Sequence, residues 1–329
     1  MDIVRYDASK HGFWDEFVRN ANNGTLFHER HFLNYHPAGR FRDHSLVLLD
    51  DKQPAGLFPA VEDCRDGLRI LHSHRGSSFG GIVQPLNQGV EKNFRMLRAL
   101  DRYAKEQGFD RIIMTLPPDI YNQQLNNYLE FACFRHGYRY LKREISSVLA
   151  LEDSIEANIA KFKSSNRTAF RRGEKMGVSV RISGDLPAFY SILKSNLKIR
   201  HGVSPTHSLE ELQELRRRYP ERIRLYGAYL EERMIAGIVM FDANSRVTLA
   251  FYISHNENFQ EYRGVNVLFK EVIADSILRG FRYLDYGIFT VNMEPNFGLA
   301  RFKESFGAGG VFRDTLMLDL KSTPSGKSA

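Results

Sequence analysis

One segment of the chain has the pattern of an anion-binding turn, in which a glycine precedes an apolar helix. It reads Glu261-Tyr-Arg-Gly-Val-Asn-Val-Leu268, and the residues after it carry an apolar i, i+3, i+4 stripe. Backbone N–H groups at a helix N-terminus bind phosphate, and the helix dipole adds to the attraction. We therefore expect Arg263, Gly264, Val265 and Asn266 to bind a phosphate-bearing cofactor, with an ordinary helix start as the alternative.

Two strands near this turn carry polar side chains among apolar neighbours. Tyr252 lies in Ala250-Phe-Tyr-Ile-Ser-His255, where adjacent side chains face opposite sides of the strand. Its hydroxyl is either a group that binds an acceptor or protonates a leaving group, or part of a core tyrosine. Asp285 and Tyr286 follow in the next buried strand. Asp285 is a general base for an attacking amine or a structural hydrogen-bond acceptor, and we assign Tyr286 to substrate binding.

A third segment, in the first half of the chain, is dense in glycine and hydroxyl groups. It reads Ser73-His-Arg-Gly-Ser-Ser-Phe-Gly-Gly81. We expect Arg75 to hold an anion and Ser77 to help line a substrate cleft, and a plain loop between strands is the alternative. Several histidines lie in the same half, but no carboxylate or cysteine completes a ligand set at diagnostic spacing. The sequence therefore predicts no metal.

The composition indicates an ordinary globular protein with an anionic partner. The chain has 329 residues, which favours two domains, and its net charge of +7 favours phosphates, acidic lipid surfaces or nucleic acid. The two cysteines are too few for a disulfide framework. No apolar leader and no run of about 18 apolar residues occurs, so we expect a cytoplasmic protein without a transmembrane segment. Nucleotide-binding and hydrolase fingerprints are absent, which argues against ATPases, dehydrogenases and α/β-hydrolases.

The two halves of the chain repeat each other in order. The pairs Ala55-Gly56 and Ser73-His74 recur 181 residues later as Ala236-Gly237 and Ser254-His255. In each half a hairpin and a third strand precede a glycine, a helix and a buried strand. We predict a first domain over 1–150, a second over 151–321 and a disordered polar tail over 322–329. The second domain should begin with one basic helix over 155–175, capped by Asp153 and Glu156.

The second half resembles a known family through two motifs. Tyr283-Leu-Asp-Tyr-Gly287 and Phe297-Gly-Leu-Ala-Arg-Phe-Lys-Glu-Ser-Phe-Gly307 resemble the FemAB-like branch of the GNAT acetyltransferase superfamily. Arg263-Gly264 matches the superfamily's acyl-CoA loop, although Asn266 replaces its second glycine. The resemblance implies an α+β fold of two tandem GNAT-like domains, each a mixed, mostly antiparallel sheet flanked by helices.

The resemblance also implies roles for two further residues. Lys303, in the second motif, takes the place of a lysine that faces the acceptor and the donor carbonyl, where a fixed cation stabilises an oxyanion. A solvated lysine–glutamate pair is the alternative. Arg200 takes the place of an arginine that binds the diphosphate of a nucleotide-linked acceptor, with His201 beside it. A C-terminal helix cap is the alternative for His201.

The activity implied is N-acyl transfer to an amine of a cell-envelope or polysaccharide precursor. The donor is acetyl-CoA or another acyl-CoA, or else an aminoacyl-tRNA, as in peptidyltransferases that build cross-bridges. The acceptor is a sugar or peptide linked to a nucleotide or lipid, and peripheral contact with a membrane stays open. The second copy should hold the donor, and the degenerate first copy should form the acceptor wall. A non-catalytic tandem fold that binds anions or RNA is the alternative of another class.

Overall fold

The computed structural model describes residues 1–201 and 205–321, leaving aside the side chains of residues 10, 11 and 198–201. The chain forms two compact units. Unit 1 comprises Met1–Glu144 and the chain from Phe312 onward, and unit 2 comprises Ile145–Val311. The domain limits expected from the sequence stay a prediction, and the tail 322–329 lies outside the described residues.

The described residues of unit 1 form seven strands and four helices. The strands are β1 (Asp2–Arg5), β2 (Arg42–Asp43), β3 (Leu46–Asp50), β4 (Gln53–Phe58), β5 (Val61–Arg65), β6 (Leu68–Ser73) and β7 (Arg111–Thr115). The helices are α1 (His11–Asn20), α2 (Arg30–Leu33), α3 (Val90–Glu106) and α4 (Tyr128–Arg135). Strand β8 (Arg139–Ala150) leads out of this unit.

The parallel pair β6–β7, joined by α3, is the centre of unit 1. Its ladder runs from the pair Ile70–Arg111 to the pair Ser73–Met114. Ser73 is the last residue of β6. The apolar face of α3 contributes Met96, Leu97 and Leu100 to the core of the unit. Strands β1, β3 and β4 form a separate three-stranded sheet.

Unit 2 contains six helices and seven strands beyond β8. The helices are α5 (Ile155–Ala160), α6 (Ser164–Lys175), α7 (Leu186–His201), α8 (Leu209–Arg218), α9 (Gly264–Leu278) and α10 (Phe297–Glu304). The strands are β9 (Val178–Ser183), β10 (Ile223–Leu230), β11 (Arg233–Asp242), β12 (Val247–His255), β13 (Tyr283–Ile288), β14 (Thr290–Val291) and β15 (Glu294–Pro295). The last strand, β16 (Gly309–Asp319), leads back into unit 1 and pairs there with β7.

The main sheet of unit 2 has the strand order β8-β13-β12-β11-β10-β9. Only the pair β12–β13, which α9 joins, is parallel. Helix α9 packs Leu268, Val272 and Ile273 into a core that also contains Ile238 and Leu284 of the sheet. The structure thus confirms the predicted α+β class with mixed, mostly antiparallel sheets.

The repeat is visible in the equivalent units β6–α3–β7 and β12–α9–β13. The two copies differ in their hairpins, because β10, β11 and β12 are consecutive neighbours in one sheet, whereas β4 lies in a different sheet from β6. In unit 1 the neighbour of β6 is therefore β5 instead of β4, and β5 was not predicted from the sequence.

The predicted single helix over 155–175 is wrong, because the chain forms α5 and α6 with a break between them. Phe162 lies in the break and packs edge-on against Phe306 in the core, with ring centroids 5.1 Å apart. The N-cap of α5 is Ser154 rather than Asp153, since the Ser154 side chain accepts a hydrogen bond from the Ala157 N–H. None of the helices within the described residues is long and apolar enough to cross a membrane.

Candidate functional site

A cavity of about 590 Å³ lies in unit 2 at the C-terminal end of β12. Its walls come from α6, α7, β11, β12, the turn before α9 and the start of α10. Besides Arg263, the lining has six polar side chains, five of them amides: Asn166, Asn196, His255, Gln260, Asn266 and Asn296. Apolar groups such as Ile253 and Phe302 complete it. A cavity of this size, with an apolar wall and a few polar groups, has the character of a small-molecule site.

The cavity adjoins a stretch of β12 that has no partner in β13. The parallel ladder between the two strands ends at Leu249–Asp285, although β12 continues to His255. Ile253 and His255, beyond the end of the ladder, both line the cavity. The equivalent ladder in unit 1 continues to the last residue of β6. The second copy therefore has an open strand edge where the first copy is closed.

The turn before α9 has the geometry of an anion site. A 3₁₀ helix over Glu257–Tyr262 ends at Arg263, whose backbone is left-handed (φ 57°, ψ 33°). The Arg263 carbonyl accepts hydrogen bonds from the N–H groups of Asn266 and Val267. Within the described chain, no acceptor lies in hydrogen-bond distance of the N–H groups of Gly264 and Val265. Both residues line the cavity, so two open donors and a helix N-terminus face the ligand space.

Gly264 allows this helix start to lie close to the sheet. A Cβ atom at Gly264 would meet the Ala236 Cβ at 3.2 Å and the Ile235 Cδ1 at 3.3 Å. These distances are shorter than ordinary van der Waals contacts, so a larger residue would push α9 away from β11. The glycine that the sequence analysis assigned to phosphate binding therefore also has a packing function.

Asn266, which replaces the second glycine of the acyl-CoA pattern, belongs to a network between three helices. Its Nδ2 donates to the Asn166 Oδ1 of α6 at 3.1 Å. The Asn166 Nδ2 in turn donates to the carbonyl oxygen and to the hydroxyl of Ser305, at 3.0 and 2.7 Å. The network fixes the first turn of α9 against α6 and the end of α10.

Lys303 is 3% exposed and lies beside the end of β13. Its Nζ donates to the carbonyl oxygens of Gly287 and Ile288 at 2.7 and 2.8 Å. Burial lowers the pKa of Lys303 to about 8, while the negative charge of Asp285 opposes this effect. The cavity lining includes the adjacent Phe302 but not Lys303.

Asp285 is buried and has partners of its own. Its Oδ1 accepts hydrogen bonds from the Ser146 hydroxyl at 2.5 Å and from the Gly287 N–H at 2.7 Å. These bonds satisfy the carboxylate at the point where the β12–β13 ladder ends. The structural alternative from the sequence analysis accounts for this geometry, and the role of Asp285 in catalysis stays a prediction.

The two tyrosines of the predicted site lie in different surroundings. The Tyr252 hydroxyl accepts from the His207 N–H at 3.1 Å and lies 2.8 Å from the His207 Nδ1. Burial raises the pKa of Tyr252 to about 12, so the hydroxyl keeps its proton at neutral pH. Tyr286 packs edge-on against Phe269, and its buried hydroxyl has no hydrogen-bond partner within the described residues. Burial raises the pKa of Tyr286 as well.

The remaining predicted residues do not line the cavity. In unit 1 the Arg75 Nη1 donates to the Asp63 carboxylate at 2.7 Å, and the Ser77 hydroxyl donates to the Phe27 carbonyl at 2.8 Å. The side chains of Arg200 and His201 lie outside the described residues, although their backbone closes α7. The structure brings together Arg263, Gly264, Val265 and Asn266, which all line the cavity.

Most of the polar lining could not be predicted from the sequence. Asn166, Asn196 and Asn296 come from three separate helices or their caps, and single asparagines in a sequence carry no motif. A signal was present for His255, which ends β12 and belongs to a repeat landmark. Across the described part of the chain, no three His, Cys, Asp or Glu side chains cluster as a metal site would require.

A family model for the acetyltransferase (GNAT) domain matches residues 160–304, which include the cavity, the turn before α9 and Lys303. Residues 160–304 form a GNAT acetyltransferase domain. This match confirms the predicted GNAT superfamily and acyltransferase class for this domain. Among curated proteins, no sequence matches this chain significantly.

Solved structures of low sequence identity share the fold of this chain over nearly its whole length, which confirms the predicted tandem GNAT-like fold. FemX is 12% identical with a TM-score of 0.74, over 96% of this chain and 97% of FemX. L-PGS from Bacillus licheniformis is 13% identical with a TM-score of 0.60, over 97% of this chain and 94% of that protein. A tandem GNAT protein from the clavulanic acid biosynthesis pathway is 10% identical with a TM-score of 0.55, over 98% of this chain and 99% of that protein.

Proposed function

We propose that this protein is an N-acyltransferase that binds an acyl-CoA donor in the cavity of unit 2 and transfers the acyl group to an amine. The proposal rests on one observation: the same cavity is lined by the part of β12 that has no partner in β13 and by the N-terminus of α9. An acyl-CoA has matching parts, because its pyrophosphate is an anion and its arm contains amide groups. Acetyl-CoA is the first donor to test.

The pyrophosphate of the donor would bind at the turn before α9. The N–H groups of Gly264 and Val265 would donate to its oxygens, and the dipole of α9 favours the negative charge. Arg263 is exposed on the same cavity, and no hydrogen bond or ion pair joins its side chain to another described residue. A guanidinium in this position suits bidentate binding of phosphate.

The amide-containing arm would pair with the open edge of β12. Backbone groups between Ala250 and His255 have no ladder partner in β13, and amides of a ligand can take the place of such a strand. This would direct the thioester toward the end of the ladder, where Lys303 and Asp285 lie.

The transfer would proceed by direct attack. The amine nitrogen forms a bond to the thioester carbonyl carbon, the carbonyl oxygen becomes an oxyanion, and the C–S bond then breaks. As the C–S bond breaks, the nitrogen gives up its extra proton to solvent and the departing thiolate takes up one proton, so that the products are the amide and the CoA thiol. Lys303 would stabilise the oxyanion with the N–H that is not used by Gly287 and Ile288. Tyr252, which keeps its proton, would be the acid for the thiolate.

A second donor, an aminoacyl-tRNA, is favoured by the charge of α6. This helix contributes Asn166 to the cavity and carries Arg171, Arg172 and Lys175 as exposed cations. A polyanion bound along α6 would have its acylated end near the cavity, and the attraction would depend strongly on salt.

The acceptor class rests on the family resemblance. We propose an amine on a sugar or peptide that is linked to a nucleotide or a lipid, as in the assembly of cell-envelope polymers. The reaction would take place in the cytoplasm, where acyl-CoA and aminoacyl-tRNA are both made. Arg200 and His201 stay predicted ligands of the acceptor's phosphate, with Tyr286, Arg75 and Ser77 as further predicted contacts.

Calorimetric titration with acetyl-CoA and with aminoacyl-tRNA tests the proposal. We expect one of the two to bind at micromolar concentration, with Arg263→Gln weakening it about tenfold or more, the loss of one charged hydrogen bond. Arg217→Gln, which changes an exposed arginine of α8, is the matched control and should bind normally. If neither donor binds, or if the Arg263 variant binds as well as the wild type, the donor site is wrong.

A further inference from the structure

Unit 1 displays a connected set of exposed apolar side chains around α4. Leu125, just before α4, is 89% exposed, and Tyr128 and Phe131 on the helix are 50% and 55% exposed. Phe134, Tyr140 and Phe312 extend the set and are also exposed. We call these six residues the α4 patch. Single exposed apolar residues are common in soluble proteins, but a contiguous group marks a surface that binds something.

Three members of the α4 patch are held by contacts with each other or with Arg143: Phe134, Tyr140 and Phe312. Phe134 and Tyr140 have ring centroids 4.7 Å apart. The Arg143 guanidinium lies 4.4 Å from the Tyr140 ring centroid and 3.8 Å from that of Phe312. Asp314 fixes this guanidinium through two hydrogen bonds of 2.9 and 3.0 Å. Such contacts hold the rings in place without covering them.

Folding of unit 1 does not require these side chains to be apolar. The opposite face of α4 buries Leu129, Ala132 and Cys133 in the core, so the helix is already anchored there. The outward aromatic residues add exposed apolar area to a face that polar residues could have occupied. Their chemistry therefore points to a partner rather than to the fold.

The exposed charges around the α4 patch are mainly positive. Arg135 and Arg139 are exposed, and Lys142 is partly exposed with its Nζ 3.9 Å from the Glu144 carboxylate. Glu130 accepts a hydrogen bond from Asn127 at 2.8 Å, and burial raises the pKa of its carboxyl group. Asp314 is bound by Arg143, and Glu144 is buried. Asp119, which precedes α4 in the chain, is an exposed acid.

We propose that the α4 patch binds the surface of a membrane that contains anionic phospholipids. Tyrosine and phenylalanine rings are suited to the headgroup region, and arginine side chains extend their charge toward phosphates from an apolar stem. The exposed Leu125 argues against an RNA-binding site, because an aliphatic side chain offers no ring on which a base can stack. A second copy of the chain fits less well, since a two-fold contact would bring Arg135 and Arg139 of both copies together.

This inference is independent of the proposed acyl transfer. The α4 patch lies in unit 1 and the donor cavity in unit 2, and none of the six residues lines the cavity. Failure of the donor experiment would therefore leave membrane binding unaffected, and the reverse also holds.

Sedimentation of the full chain with lipid vesicles tests the proposal. We expect binding to vesicles of phosphatidylcholine mixed with phosphatidylglycerol, weakening as salt rises, and little binding to pure phosphatidylcholine. Phe131→Ser and Phe134→Ser should each weaken binding about tenfold, as expected for losing part of a buried apolar side chain. Arg135→Gln and Arg139→Gln should each weaken it about fivefold.

The controls change equally exposed residues elsewhere. Leu278→Ser replaces an apolar residue that is 86% exposed at the end of α9, and Arg217→Gln replaces an exposed arginine of α8. Both should bind vesicles like the wild type, and circular dichroism should show all variants folded.

Absence of vesicle binding, equal binding to neutral vesicles, or unchanged binding of the four patch variants would overturn the proposal. Loss of a dimer in Phe131→Ser without vesicle binding would assign the surface to a second copy. Salt-sensitive binding of single-stranded RNA without vesicle binding would assign it to RNA.

Discussion

At Arg263 the backbone adopts a left-handed conformation that normally belongs to glycine. For an L-residue with a side chain this conformation costs about 1–2 kcal/mol. Arg263 therefore combines a backbone cost with a guanidinium that makes no hydrogen bond or ion pair with another described residue. We infer that the side chain is retained for binding rather than for stability.

Replacement of Arg263 by glycine should separate these two properties. We expect Arg263→Gly to raise the free energy of unfolding by about 1 kcal/mol, because glycine adopts positive φ without steric cost. The same variant should bind the donor about tenfold more weakly or worse, as it removes a charged hydrogen bond. Urea denaturation and calorimetry measure the two effects. Arg263→Ala is the control, which should lose donor affinity without the gain in stability.

Lys303 predicts a pH dependence of the rate. Because its pKa lies at about 8, the side chain is cationic below this pH and loses its charge as the pH rises through it. If the ammonium stabilises the oxyanion, kcat should fall above about pH 8. Lys303→Arg should remove this decline, since a guanidinium stays charged. Lys303→Met should lower kcat at every pH, and a rate in that variant equal to the wild type would contradict the assignment.

At the scale of elements, the donor site depends on how α6, α9 and α10 are held together. Asn166 joins all three through Asn266 and Ser305, and both asparagines line the cavity. Position 266 therefore has an explanation that the family pattern does not supply: its amide contributes to packing between helices, where a glycine could not.

A double-mutant cycle measures this connection. Asn166→Ala should lower the free energy of unfolding by about 2 kcal/mol, because it removes three partly buried hydrogen bonds. Ser305→Ala should cost about 1 kcal/mol, and the double variant should cost less than the sum of the two. Strict additivity in urea denaturation would show that the two residues are not coupled. Asn166→Ala should also weaken donor binding.

The sequence predicted elements better than their interruptions. Helix α9 and the hairpin of β10 and β11 follow from apolar periodicity and turn residues, which are local properties. The break between α5 and α6 depends on Phe162 reaching Phe306, a contact between residues far apart in the chain. The cavity lining could not be predicted for the same reason, because its asparagines come from separate helices. Only the turn at Arg263–Asn266, which is one continuous segment, was predicted as part of the site.

At the scale of the whole molecule, the two copies of the fold differ in a feature to which we attribute the proposed donor site. The ladder β6–β7 extends to the end of β6, whereas the ladder β12–β13 stops at Leu249. A closed ladder leaves no strand edge for a ligand between the two strands. The division of labour predicted from the motifs is consistent with this difference between the two parallel ladders.

Hydrogen exchange with and without saturating donor tests this claim most directly. With whichever of acetyl-CoA and aminoacyl-tRNA binds, we predict slower exchange of backbone amides in residues 250–255 and 263–268. The equivalent residues of the first copy, 69–74 and 88–93, should exchange at unchanged rates. Protection confined to the first copy, or spread equally over both, would contradict the assignment of the donor to the open end of β12.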